Sequence, residues 1–266
     1  MSSLSRSLFR SLIFLTAIPF PGCRLHAQQN RDTLPEAPQP RVQSREGVNI
    51  RDVPRNVFLD QAAIWSSPAR LRAHDLKWLA PFALATGAAI ATDHRAMSQL
   101  VTHDANFNNA STNASNVLIG GFIAAPVALY GYGHFGENDH ARESGLVSAE
   151  ALLDGLVVEQ GIKLIAWRER PAVDNQRGRF FQSSAGVDSS FPSSHSVLAW
   201  ATASAIAGEY PSRWAEIFAY SAATSVSLTR VLGQQHFPSD VLVGGAAGWL
   251  VGRYVVHRRG HRGWPR

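Results

Sequence analysis

Residues 229–240 read TRVLGQQHFPSD: Arg230, then His236 six positions on, then Asp240 four positions beyond it. Pro238 has no N–H to give and a φ preset for a first helical turn, so a helix start is expected at Phe237 or Pro238, ahead of the apolar run 241–251. His236 then stands just before that helix. Asp240 falls in its first turn, where the dipole favours a carboxylate that can reach back to the imidazole. A histidine fixed in one tautomer by a carboxylate is equipped to act as a nitrogen nucleophile or a metal ligand. Taken alone, the stretch reads more readily as a capped helix, and it is two clusters upstream that alter the reading.

The first is Lys163 with Arg170 and Pro171. Seven residues is nearly two helical turns, so Lys163 and Arg170 are expected on one helical face, with the helix ending at Pro171. Two cations on one face of an apolar helix repel each other unless an anion lies beside them; the plainer alternative has Lys163 snorkelling and Arg170 paired with an acid such as Glu159. The second is SSFPSSH at 189–195, ahead of the apolar run 196–207. Pro192 suits a first helical turn, which would leave the N–H groups of Ser193, Ser194 and His195 unpaired beside two hydroxyls, a ready anion site. His195 at the rim is placed to pass a proton to a bound oxyanion; the alternative is a serine-rich cap with an incidental histidine. Together the three clusters supply three cations, a helix N-terminus with hydroxyls, two histidines and an aspartate. Phosphoryl transfer needs this set: donors for the equatorial oxygens, an in-line nucleophile and an acid for the leaving group. Spacing alone does not say which histidine attacks, but Asp240 favours His236, since no acid is similarly placed for His195.

These residues resemble the signature of the type 2 phosphatidic acid phosphatases, which share an active-site architecture with bacterial non-specific acid phosphatases and vanadium haloperoxidases. The first part of that signature is complete as Lys163, Arg170 and Pro171. The second reads Pro192-Ser193-Ser194-His195, with Ser194 where the family has glycine, and the third reads Thr229-Arg230, His236 and Asp240, with threonine where the family has serine. The resemblance covers about 147–256 and implies a metal-free phosphatase. By it, His236 would attack phosphorus to give a phosphohistidine, oriented by Asp240; His195 would protonate the departing oxygen and then activate water. Lys163, Arg170 and Arg230 would hold the phosphate oxygens, with Ser193 and the N–H of Ser194 completing the cradle. Ser194 adds a side chain that would crowd the phosphate. No cofactor is expected; the three cations would oppose a divalent ion at His236 and Asp240. The same cradle can hold vanadate bound through His236 and oxidise halides, which makes a haloperoxidase the first alternative. A non-catalytic phosphate-headgroup binder is the second, disfavoured because binding needs only the cations.

The elements that must position these groups are read from hydropathy. The chain has 266 residues, 45% of them hydrophobic. Apolar segments recur at 78–92, 117–132, 147–167, 196–207, 214–228 and 241–256, each too long for a strand and without period-two alternation. They predict an all-α helical bundle of about six core helices. Most runs fall short of the roughly 20 apolar residues that a bilayer span needs, so the segments do not decide whether the bundle crosses a membrane. The organisation expected is an export signal or N-terminal anchor at 1–27, a polar linker with short helices at 28–75, the catalytic bundle at 76–257 and a basic tail at 258–266. The net charge of +5 is concentrated in the leader and in that tail, which argues against nucleic acid as a partner. Only Lys77 and Lys163 are lysines, and the lone cysteine, Cys23, lies in the leader; if the leader is cut after Ala27, no thiol chemistry remains. The asparagine-rich 106–116 reads as a polar loop, and 172–190 as a lid. The sequence thus predicts an exported, envelope- or membrane-associated phosphatase acting on a phosphomonoester or pyrophosphate, with a lipid as the expected phosphorylated substrate.

Overall fold

The computed structural model describes residues 48–182 and 188–260. The expected leader, Cys23, the first part of the linker, the middle of the expected lid and the end of the tail lie outside these residues. Seven α-helices follow one another: α1 Val53–Trp65, α2 Leu76–Arg95, α3 Ala105–Phe135, α4 Asp139–Ala166, α5 Ser194–Glu209, α6 Arg213–Leu232 and α7 Pro238–Arg259. The six apolar segments seed α2 to α7 in order, and the described residues contain no strand.

Helix α5 is the axis. It is apolar on nearly every side and buries Val197, Ala199, Ala201, Ala203, Ala205 and Ala207, the pattern of a helix enclosed by others. On one side Ala199 and Ala203 pack with Ile119 and Phe122 of α3 and with Ala219, Ala223 and Val226 of α6. On another, Ala205 packs with Val147 and Ala151 of α4 and Val255 of α7. The tightest approach is to α7: a Cβ at Gly248 would stand 2.2 Å from the Val197 carbonyl oxygen, and one at Gly252 2.4 Å from that of Ala201. Only glycine allows this separation, and it seats the start of α5 against the start of α7, where Ser193 N–H donates to Asp240 O at 3.1 Å.

Three local expectations are corrected. Residues 106–116 are not a loop but the first turns of α3, capped by Asp104, whose carboxylate accepts from Phe107 N–H at 2.7 Å. Helix α4 ends at Ala166, four residues before Arg170, because Trp167 turns left-handed (φ 40°, ψ 52°). Beyond it the chain runs against 179–182, with bonds from Glu169 N–H to Arg179 O and from Gln182 N–H to Trp167 O, both 3.0 Å. Arg170 is therefore not on the helical face of Lys163. Finally, Arg258 and Arg259 belong to α7 rather than to a tail. Arg259 reaches inward to the buried carboxylates of Asp60 and Glu150, which ties α1 to α4 and α7.

The outward faces of several helices are apolar: Trp78 and Leu84 on α2, Val117, Val127 and Phe135 on α3, and Trp214 and Phe218 on α6 are exposed. Helix α3, 31 residues long, is the one described helix long and apolar enough to cross a bilayer.

Candidate active site

The loop after α6, the start of α7, the start of α5 and the segment after α4 meet at one end of the bundle. Pro238 opens α7 as expected, with Phe237 at its N-cap, and Asp240 lies in the first turn. Helix α5 opens at Ser194, two residues after Pro192, with Ser193 as the N-cap, so Pro192 precedes the helix instead of lying in its first turn. Ser193 N–H is therefore committed to Asp240 O, and the first bond inside α5 is from Val197 N–H to Ser193 O at 3.0 Å. The N–H groups of Ser194, His195 and Ser196 precede that bond and remain as anion donors.

His236 is 1% exposed. Its Nδ1 lies 2.8 Å from the Ser190 carbonyl oxygen, so Nδ1 carries the proton and donates to it, leaving a lone pair on Nε2. Asp240 is 3.6 Å from Nδ1 and makes no direct hydrogen bond to it. Its carboxylate instead accepts from the Ser190 hydroxyl at 2.5 Å, from Phe237 N–H at 2.8 Å and from Arg168 at 2.6 Å. The expected orientation of His236 by Asp240 thus runs chiefly through Ser190. Burial pushes the His236 imidazole below its ordinary range, opposed by Asp240.

The other predicted groups lie at the neighbouring helix ends. Arg230, at the end of α6, donates from Nη1 to Ser115 Oγ at 3.2 Å and to Asn116 Oδ1 at 3.5 Å, while its buried Nε has no partner in the protein. Burial and the neighbouring Arg170 push it down to about 10. His195 Nε2 lies 3.1 Å from Asn116 Oδ1, so it donates there. Burial first, then the positive fields of Arg230, His236, Arg170 and Lys163, push His195 down to about 3. Asn116 joins His195 to Arg230, and Arg170 reaches the carbonyl of Gln235 next to His236, so groups from the three clusters meet here. Ser193 Oγ is buried and unpartnered. Lys163 pairs with Glu159 at 3.1 Å, and Ser194 donates its hydroxyl to the same carboxylate, so the extra side chain at 194 turns away from the helix N-terminus rather than into it. Arg170 sits at the rim, paired with the exposed Asp188 at 2.9 Å and donating to Gln235 O at 3.3 Å.

Several contributors escaped the sequence reading: Asn116 and Ser115 in the presumed loop, Ser190, and above all Arg168; Glu159, offered there as a partner for Arg170, pairs with Lys163 instead. Arg168 is 1% exposed and lies between the rings of Phe180 (4.6 Å) and Phe237 (4.2 Å). It donates to Asp240 Oδ1, to Ser239 Oγ at 2.7 Å and to Asp93 Oδ2 at 2.7 Å. Its signal was there as the Arg-Glu-Arg run at 168–170. Among the described residues no three His, Cys, Asp or Glu side chains converge as metal ligands.

The family model described as PAP2 superfamily matches residues 145–264. A curated relative, the lipid A 1-phosphatase of Porphyromonas gingivalis, is 40% identical over 65 residues, 24% of this chain; the match spans 15% of that relative's own length. Among solved structures, a transmembrane PAP2 type phosphatidylglycerolphosphate phosphatase from Bacillus subtilis aligns over 78% of this chain and 96% of its own, at 19% identity and a TM-score of 0.43.

Proposed function

We propose, from the match of residues 145–264 to the PAP2 superfamily model, that this chain is a metal-independent phosphatase of a phosphomonoester or pyrophosphate on a lipid, working through a phosphohistidine. The observation that carries the reading is the set of buried donors left without protein partners, Ser193 Oγ and Arg230 Nε, beside the open N-terminus of α5 and the Nε2 lone pair of His236. Buried polar atoms are rarely left unpaired, and these would pair with the oxygens of one tetrahedral anion. Lys163 and Arg170 would add charge from the other side.

In the first step the Nε2 lone pair forms a bond to phosphorus as the bond to the leaving oxygen breaks, and that oxygen takes a proton from His195. In the second, water adds to phosphorus, its proton passes to His195, and the P–N bond breaks to release inorganic phosphate. The imidazole cation formed at His236 faces Asp240 and the Ser190 carbonyl. His195 is uncharged in the anion-free protein. A phosphate dianion neutralises the cations around it and lets it take up the proton it must donate.

Three features support a lipid substrate and membrane association. They are the apolar outer faces of α2, α3 and α6, the length of α3, and an apolar groove of about 550 Å³ that runs from Pro238 between Leu228, Val241 and Trp249. The 40%-identical relative is named for phosphate removal from lipid A, and residue identity over its short match favours the same reaction class here. The test is release of inorganic phosphate from a panel of phosphatidic acid, phosphatidylglycerophosphate, an isoprenyl pyrophosphate, lipid A and a soluble aryl phosphate, with chelator present throughout. Release from a lipid that His236→Ala abolishes is the expected result. Full release by that variant, or loss of release on chelation, would overturn the mechanism; bromide oxidation dependent on added vanadate, without phosphate release, would overturn the activity.

A further inference from the structure

Two carboxylates share one buried guanidinium beneath His236, and the second of them, Asp93, comes from α2, outside the 145–264 segment. We propose that Arg168 and Asp93 are positioning residues that keep Asp240 both oriented and net anionic for His236; the inference rests on the phosphohistidine reading above.

The geometry gives Arg168 two routes to the imidazole. Its main chain fixes the 189–190 segment, accepting from Ser190 N–H at 2.8 Å and donating to Ser189 Oγ at 2.9 Å, and the Ser190 carbonyl holds His236 Nδ1. Its side chain fixes Asp240 Oδ1, leaving Oδ2 to Ser190 and Phe237, on the side facing the imidazole. The two phenyl rings and the bond from Nε to Gly178 O at 3.0 Å leave the guanidinium one plane, so its fork sets the tilt of the carboxylate.

Charge counting explains Asp93. Arg168 with Asp240 alone is a neutral pair, and a neutral pair does little to balance the cation that His236 becomes when Nε2 bonds to phosphorus. Asp93 takes the other side of the guanidinium and also accepts Ser239 N–H at 3.1 Å and the Ser239 hydroxyl. Arg168, Asp93 and Asp240 then sum to one negative charge, the complement of one imidazolium. Each is buried, so no solvent screens the sum. A purely structural ion cluster would have no need of a net charge, which in the interior is costly unless something opposes it.

The experiment compares the full-length wild type with His236→Ala, Asp93→Asn, Arg168→Lys and Arg168→Gln in detergent micelles. It reads kcat, KM, the single-turnover rate of phosphohistidine formation, and the affinity for sulfate as a competitive anion. Asp93→Asn keeps the shape and the bond from Ser239 N–H, replaces the oxygen facing Arg168 and the Ser239 hydroxyl with an NH2, and is expected to lower kcat and the single-turnover rate about 10- to 100-fold, the usual effect of removing an outer partner. Its sulfate affinity should stay within about 3-fold of wild type, because the cradle is untouched. Arg168→Gln should lose more, with Arg168→Lys between them. If kcat stays within about 3-fold in Asp93→Asn and Arg168→Gln, or if kcat and sulfate affinity fall together in step with the folded fraction, the inference is wrong. Should His236→Ala turn over as fast as wild type, the phosphohistidine reading itself fails and takes this inference with it. A wild type that needs His236 but ignores Asp93 sinks the inference alone.

Discussion

The binding of a dianion should pull a proton into this site, and the pull should come from His195. In the anion-free protein His195 is held at about 3, against an ordinary 6.5, by burial and by Arg230, His236, Arg170 and Lys163. A bound anion of fixed charge opposes the fields of Arg230, Arg170 and Lys163 and offers the imidazolium a partner. If it returns His195 to its ordinary value, the anion-bound form takes a proton near neutrality while the free form does not. The apparent affinity then rises as pH falls, by about 30-fold between about pH 8 and about pH 5, since the bound form gains about 1.5 decades at the lower pH and the free form nothing. Sulfate suits the test because it stays a dianion across that range, whereas phosphate does not. The measurement is the dissociation constant of sulfate by titration calorimetry as a function of pH, in buffers of different ionisation enthalpy that report proton uptake. His195→Asn should flatten the dependence and leave the neutral-pH affinity near wild type. A sulfate affinity that does not change with pH, or a pH dependence that survives unchanged in His195→Asn, would refute the reasoning.

Without an anion the same depression makes the protein acid-sensitive. The unfolded chain binds a proton at His195 below about 6.5 and the folded one only below about 3, so stability present at neutral pH is lost as pH falls through that window; thermal melts at descending pH should show this, and added sulfate should restore more at about pH 5 than at about pH 8. Ser193→Ala removes an unpartnered buried hydroxyl from the proposed cradle and should lower kcat about 10-fold or more, whereas Ser194→Gly, whose hydroxyl serves Glu159, should stay within about 3-fold in steady-state kinetics. Asn116→Ala frees both His195 and Arg230 from one carbonyl and should cost about 10-fold in kcat with little change in sulfate affinity; an unchanged kcat would remove Asn116 from the site. Arg259→Met strands two buried carboxylates and should cost about 3–5 kcal/mol in denaturant titrations, with the specific activity of the folded fraction retained.

Type and spacing were enough for the bundle and for most of the side chains that meet at one end of it, because both are written locally. Six apolar runs became six helices, and Pro238 opened α7 where its fixed φ required. The failures are those of local rules meeting distant partners. Asparagine and serine are weak helix formers, so 106–116 looked like a loop; α3 forms there because Asp104 caps it and because Ser115 and Asn116 answer Arg230, 115 and 114 residues away. The end of α4 carried no glycine to announce a left-handed turn, and Trp167 takes that conformation because the chain must swing Arg168 under α7. Arg168 meets Asp240 across 72 residues and Asp93 across 75, separations at which no periodicity speaks. On this reading the motif names the atoms that would touch phosphate, while the charge those atoms would work against comes from residues the motif does not contain. Two chains with identical motifs but different residues at 93, 116 and 159 should bind the same anion with different pH dependence.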